Sequence, residues 1–368
     1  MRVVIAPDSF KGVLDARSAA ERIGAGVCRA RPDAEVVLVP MADGGEGTLD
    51  VLVDANRGNR RLVRATGPLG RPLDVAVGLI REASTAVIES ALVAGYSLVS
   101  SDRRDPLKAT TFGLGEVIRV AIEGGVDEII LGLGGSATVD GGAGMMQALG
   151  MRFLAGDGRE IQSPVGGGDL ARIDRLVWDR PPDDLEHVRF TIGCDVLNPA
   201  CGPNGAAAVF APQKGADGAA VRLLERGLSH WADLLEAACG WPLRDEPGTG
   251  AAGGIALPLL SFTSATVVPG VDLVSEANGL VGAIGDAEWV MTGEGRLDRQ
   301  SMMGKVVGSV ARTARGADVP CVAIVGTAGE GADDCLAALD RFYTLDCELS
   351  ETAERLEAVA EGITKQWL

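Results

Sequence analysis

Lysine and histidine are scarce in this chain. Of 34 Lys and Arg residues only five are lysines, at 11, 108, 214, 305 and 365, and the two histidines, His187 and His230, lie outside every glycine-rich motif. A general base is therefore expected to be a carboxylate or a lysine. Basic residues as a whole are outnumbered by 51 Asp and Glu, for a net charge of −17. A nucleic-acid-binding protein would show a basic stripe, and there is no aromatic-rich basic segment either. The seven cysteines (28, 194, 201, 239, 321, 335, 347) include no CxxC pair and are odd in number, which points to free thiols in a reducing cytoplasm and away from a zinc site. No run approaches the roughly 18 apolar residues of a membrane helix. The stretch Gly254-Ile255-Ala256-Leu257 breaks at Pro258 and turns polar at Ser261. Met1-Arg2-Val3-Val4-Ile5 opens directly as a strand, so no signal peptide is expected. A Walker loop is missing too, because Gly304-Lys305 runs into Val306 and Arg299 stands where its first glycine would fall.

What is present is a soluble composition, 46 % apolar and 23 % charged, over 368 residues, long enough for two domains. Short β-branched runs alternate with helical stretches. The strands are expected at Val3–Ile5, Val36–Val39, Ala86–Ile88, Ile129–Leu131, Phe190–Ile192, Trp289–Met291 and Val322–Val325, and helices at 16–31, 110–124, 218–239, 305–316 and 351–366. This predicts an α/β protein with mostly parallel strands. Segment 61–90, with turns at Gly67-Pro68-Leu69-Gly70 and Gly78, reads as a mixed or antiparallel sheet. The division expected is a doubly wound domain from 1–60 plus 265–368, with 61–264 as an inserted second α/β domain. Pro242 to Gly250 reads as a mobile loop.

Five loops concentrate glycine, charge and polar groups, the composition expected where strands end and ligands bind. They are Ala6-Pro7-Asp8-Ser9-Phe10-Lys11-Gly12, then Pro40-Met41-Ala42-Asp43-Gly44-Gly45-Glu46-Gly47-Thr48, then Gly132 to Gly144 (GLGGSATVDGGAG), then Cys194-Asp195-Val196-Leu197-Asn198-Pro199 followed by Phe210-Ala211-Pro212-Gln213-Lys214-Gly215, and Thr292-Gly293-Glu294-Gly295-Arg296-Leu297-Asp298-Arg299-Gln300 running into Gly304-Lys305. Three of the five lysines adjoin a glycine in these strings. A compact ammonium suits a loop that closes on a small anion, and a planar guanidinium does not replace it.

In this order the five strings resemble the type I glycerate kinase family over nearly the whole chain. Val139, where asparagine is more usual, and Ala211, where glycine is more usual, are minor departures. The resemblance implies ATP-dependent phosphorylation of D-glycerate, most often at the 2-hydroxyl. It also implies a two-domain fold with the active site in the cleft between the domains. The residue roles come from the residues themselves. The 132–144 loop is the candidate phosphate cradle, with Gly134, Gly135, Ser136, Thr138 and Lys214 as the binding set and a helix over about 140–150 adding its positive end. Asp43 and Glu294, each flanked by glycine, are the candidate Mg²⁺ ligands. Asp195, Lys305, Lys11 and Asp8 are the candidate catalytic groups. Arg296, Arg71 and Asn198 are candidates for holding glycerate.

Plainer readings stay open for each. A loop carboxylate often caps N–H groups, Asp195 and Asn198 before a proline suit an Asx turn, and Lys305 at a helix start is often only solvated. Gly132-x-Gly134-x-x-Ala137, with Asp157 about twenty residues on, also fits a dinucleotide fingerprint. The alternatives are thus an NAD(P)-dependent hydroxyacid dehydrogenase and a non-catalytic sensor of small acids. The partners expected are ATP and glycerate, with no nucleic acid or membrane, and a homodimer is left open.

Overall fold

The computed structural model describes residues 1–367 apart from 11, 163 and 303. In chain order its strands are β1 (Arg2–Ile5), β2 (Glu35–Leu38), β3 (Asn59–Thr66), β4 (Pro72–Ile80), β5 (Thr85–Glu89), β6 (Glu128–Leu133), β7 (Arg152–Ala155), β8 (Ile173–Val177), β9 (Arg189–Cys194), β10 (Thr266–Pro269), β11 (Trp289–Leu297), β12 (Cys321–Ala328) and β13 (Arg341–Thr344). The chain divides into two compact units, Met1–Asn56 with Pro269–Leu368, and Arg57–Val268.

The first unit carries a five-stranded sheet in the order β13-β12-β11-β1-β2. Every pairing in it is parallel. Its central strands read as continuous apolar runs because both faces are covered. Val3, Ile5, Met291, Val322 and Ile324 share a core with the helices Ala16–Ala30 and Thr352–Trp367, while Val4, Val290 and Ala323 are equally buried on the opposite face. The helix Val306–Gly316 contacts β11 and β12. The helix Ala16–Ala30 starts where Asp15 accepts a hydrogen bond from Ser18 N at 2.7 Å, an N-cap. Its apolar positions Ala19, Ala20, Ile23 and Val27 fall on one stripe. Burial of Ile23 contributes about 2 kcal/mol.

The second unit carries a six-stranded sheet in the order β10-β9-β6-β5-β4-β3 and a separate β7-β8 ribbon. β6 pairs in parallel with β5 and β9. β4 runs antiparallel to β3 and β5, the mixed region that the short strands and tight turns of 61–90 suggest. The core centres on Phe153, Phe190 and Trp231. Phe153 and Trp231 meet edge-on at 5.5 Å.

The Pro242–Gly250 segment is tied down, contrary to the reading of it as mobile. Arg244 pairs with Glu236 and Asp233, its carbonyl accepts from Ala200 N at 2.8 Å, and the buried Thr249 donates to Glu246 O at 2.7 Å. Its Pro, Gly and charged residues give irregular backbone anchored by a partly exposed ion pair, not mobility. No helix among the described residues is long and apolar enough to cross a membrane.

Candidate functional site

In the first unit the functional side chains collect at the carboxyl ends of the parallel strands. Beyond β1, Asp8 N donates to Gly293 O at 2.8 Å, which ties this loop to β11. The Asp8 carboxylate accepts from Ser9 N at 2.6 Å. Beyond β2, Asp43 accepts from Gly45 N at 3.1 Å. Glu294 lies within β11, in register with Val325. Gly293 before it admits no side chain, since an added Cβ would sit 2.2 Å from Ile324 O. Asp8, Asp43 and Glu294 are 6 %, 5 % and 8 % exposed, unusually low for carboxylates.

Two cations face them. Arg296 lies 3.6 Å from Asp298 and its side chain is largely exposed. Lys305 occupies the cap position of the helix Val306–Gly316 and has no ion-pair partner among the described residues. Asp8, Asp43, Glu294, Arg296, Asp298 and Lys305 line one pocket of about 410 Å³, with an apolar wall that includes Phe10, Val13, Leu345 and Leu349. Among the described residues four carboxylates against two cations leave a surplus of negative charge, which a hard cation carrying an anionic ligand would balance. An all-oxygen donor set suits Mg²⁺, which keeps waters and takes only one or two carboxylates. Among the described residues no three His, Cys, Asp or Glu converge into a metal site of their own. Lys11 lies outside the described residues.

In the second unit the glycine loop follows β6. Parallel pairing sets Leu133 opposite Cys194, so Gly134 and Asp195 leave neighbouring strand ends side by side. Glu89, at the end of β5, pairs with Gly132 on the other side. The loop is held by its own protein. Gly134 N reaches Ser90 Oγ at 3.3 Å, Tyr96 N donates to Gly135 O at 2.9 Å, and Ala137 N donates to Ala94 O at 2.7 Å. Trp231 Nε1 donates to Gly141 O at 2.8 Å. The helix begins at Ala143, later than the expected 140, because Gly141 and Gly142 have φ of 59° and 73°.

Ser136, Thr138 and Lys214 do come together, but beneath the loop and buried. Lys214 Nζ donates to Ser136 Oγ at 2.9 Å and to Thr138 O at 2.7 Å. Burial lowers the Lys214 pKa to about 7, while Asp140 draws it up. Only Gly134 and Gly135 of this stretch reach the surface.

Sequence reasoning gave no role to Asp140. It is fully buried and accepts from Thr111 N at 2.8 Å, Thr111 Oγ1 at 2.7 Å, and Gly142 N and Gly144 N at 3.3 Å each. Burial pushes its carboxyl pKa up, and these bonds pull it back. The available signal was its Asp-Gly-Gly string, the same as at Asp43. Leu345 and Leu349 were missed as well, since no motif surrounds them.

Two candidates stand apart from these groups. Asn198 donates to Asn204 O at 2.8 Å within its own loop. Arg71 lines a different pocket of about 400 Å³, together with Arg103, Leu69 and Leu98. The dinucleotide fingerprint does not hold. Its helix should open at once after the glycines, yet loop intervenes until Ala143, and Asp157 only accepts from Arg159 N at 3.0 Å in a local turn.

An acid- and cation-lined pocket at the carboxyl end of a parallel sheet, with a glycine loop at the carboxyl end of parallel strands in a mixed sheet, marks an α/β protein of two units. The chain belongs to the glycerate kinase family, whose model matches residues 3–368. It is 45 % identical to a glycerate kinase of Haemophilus influenzae, covering 99 % of this chain and 98 % of that one. It is 41 % identical to the glycerate 2-kinase of Escherichia coli, over 94 % and 92 %. A solved structure from Salmonella typhimurium, described as a glycerate kinase 2, matches with a TM-score of 0.86 and 38 % identity, covering 100 % of this chain and 98 % of that one.

Proposed function

We propose that the chain transfers the γ-phosphoryl group of ATP to D-glycerate, with Mg²⁺, to give 2-phosphoglycerate. The supporting observation is the convergence of Asp8, Asp43, Glu294, Arg296 and Lys305, from separate stretches of sequence, on one pocket in a chain of this family. The name of the Escherichia coli relative favours the 2-hydroxyl.

In this reading Arg296 takes the glycerate carboxylate, with Lys11 as a further candidate contact. Asp8, a buried carboxylate whose position is fixed by Ser9 N, accepts the proton of the attacking hydroxyl. Asp195 is the second candidate for that role. Lys305 offsets charge on the transferring group. Asp43 and Glu294 hold Mg²⁺, which when bound neutralises phosphate charge. The hydroxyl oxygen forms a bond to the γ-phosphorus as the bond to the β,γ-bridging oxygen breaks. ADP leaves, and the hydroxyl proton passes to the carboxylate. The Gly134–Gly135 backbone is the candidate contact for nucleotide phosphates. Among the described residues no cysteine forms a disulfide, which suits a reducing cytoplasm.

Phosphorus NMR of D-glycerate, ATP and Mg²⁺ incubated with the protein tests both activity and regiochemistry. The expected new resonance is that of 2-phosphoglycerate. A 3-phosphoglycerate signal would overturn the regiochemistry, and the absence of any phosphoglycerate from folded protein would overturn the function.

A further inference from the structure

Lys214 is buried to 3 % exposure in a setting that does not reward it. An unpaired ammonium is among the costliest groups to bury, and a methionine would fill the same volume without that cost. No acid lies within ion-pairing distance of it among the described residues, and Asp140 acts on it only through the longer-range field. Its two hydrogen bonds both go to the glycine loop, one to Ser136 Oγ and one to Thr138 O. Its own position is fixed. Lys214 N donates to Ala211 O at 3.0 Å, and the next residue, Gly215, closes the turn at φ 98°. From the outer side Tyr96 N holds Gly135 O at 2.9 Å, and Arg104 stacks on the Tyr96 ring at 5.0 Å.

The loop is therefore gripped at 134, 135, 136, 137 and 138, while the N–H groups of Gly135 and Ser136 form no hydrogen bond among the described residues. Thr138 Oγ1, fully buried, makes none either. The consequence is a short stretch of backbone donors held open over a buried positive charge. In the weakly screened interior such a charge adds to the pull of those donors on an anion.

We infer that Lys214 is a positioning residue for phosphate binding: its ammonium fixes Ser136 and Thr138 from beneath, so that the N–H groups of Gly135 and Ser136 are held ready for a nucleotide phosphate. Lys214 acts through the loop and does not itself touch the ligand. This rests on the kinase reading above and deepens it, by separating the group that contacts phosphate from the group that shapes the contact.

The test uses the full chain with Lys214→Met, Ser136→Ala and the double variant, by steady-state kinetics and by hydrogen-exchange mass spectrometry. Lys214→Met is expected to lower kcat/KM for ATP about a hundredfold while KM for D-glycerate stays within about twofold. Ser136→Ala, which leaves Lys214 one acceptor, is expected to cost about fivefold. The double variant is expected to be no worse than Lys214→Met, because the Ser136 bond is already gone. Amide exchange across 134–138 should quicken in both single variants, and that of β11 and β12 should not change. Additive kinetic losses, or unchanged exchange in the loop, would overturn the inference. If Lys214→Met does not fold, Ser136→Ala alone decides, since a clamp requires both its kinetic loss and its faster loop exchange. If the wild-type chain makes no phosphoglycerate the functional reading fails, and the exchange data still show whether Lys214 clamps the loop.

Discussion

The string Asp-Gly-Gly occurs at 43–45 and again at 140–142, and the two copies begin alike. Asp43 accepts from Gly45 N at 3.1 Å and Asp140 from Gly142 N at 3.3 Å, the same turn two residues on. From there they part. Asp43 lines an open pocket with Glu294 and Lys305. The second oxygen of Asp140 is consumed by Thr111 and Gly144 inside the protein. The same contrast separates the lysines, Lys305 having no ion-pair partner among the described residues at a pocket wall and Lys214 being committed to a loop. In the first unit charge lines a pocket. In the second, charge is spent on shaping a backbone loop.

Asp43→Asn and Glu294→Gln test one half of that contrast and should show the largest effects on turnover, a loss of a hundredfold or more, about 3 kcal/mol or above in the barrier, with near-normal melting temperature. Asp140→Asn should do the reverse. An amide NH₂ would confront donors that need an acceptor, which costs about 2–4 kcal/mol of stability. Thermal unfolding beside steady-state assays of the three variants decides it. A destabilised Asp43→Asn, or a stable but inactive Asp140→Asn, would erase the distinction between the two copies.

Gly135→Val should also be severe, because φ is 59° and an added Cβ would stand 3.3 Å from Ala91 Cβ. The readout is the apparent affinity for ATP, expected to fall at least tenfold. An unchanged affinity would move the nucleotide away from this loop.

The alternating strands and helices were legible because central parallel strands must be apolar throughout. The gathering of Asp8, Asp43, Glu294 and Arg296 was legible in kind, since all four fall in segments expected at the carboxyl ends of parallel strands, where ligand-binding side chains converge. Which residues face solvent was not. Ser136, Thr138 and Lys214 read from sequence as ligand-facing donors, yet they are buried: Gly253 packs on Thr138, where an added Cβ would lie 2.0 Å from Thr138 O, while Tyr96 and Trp231 hold the flanking Gly135 and Gly141. Those contacts come from residues far along the chain and leave no local trace. The same holds for Leu345 and Leu349, which reach the pocket from beyond β13.

A smaller effect follows from the buried ammonium. Its pKa near 7 lies below the ordinary lysine value of 10.5. The unfolded chain therefore binds more protons between those limits, and stability should rise with pH by up to about 1.4 kcal/mol per unit there. Below about 7 both states hold the proton, so the cost of burying the charge is fully present and this contribution no longer varies with pH. Denaturant titrations at several pH values, wild type against Lys214→Met, isolate this contribution. Parallel curves would mean that the lysine is solvated in solution.

The smallest effects belong to the lysines that adjoin no glycine. Lys108 is solvated and pairs with Asp105, three residues back, at 2.8 Å. Lys365 pairs with Glu361 on the exposed side of the helix Thr352–Trp367. A guanidinium serves either place as well as an ammonium, so Lys108→Arg and Lys365→Arg should leave kcat, KM and melting temperature unchanged within error. Lys305→Arg keeps the charge but alters its shape at a pocket wall, and is expected to lower kcat about tenfold. Lys214→Arg must fit a larger planar group into a filled interior and should lower stability and activity together. Lys11→Arg belongs with Lys305→Arg if its loop meets the same anion. A graded series of this kind, read at saturating ATP and glycerate, would show that lysine is retained where geometry requires it. Five variants with one common phenotype would show instead that the placement of lysine carries no functional information.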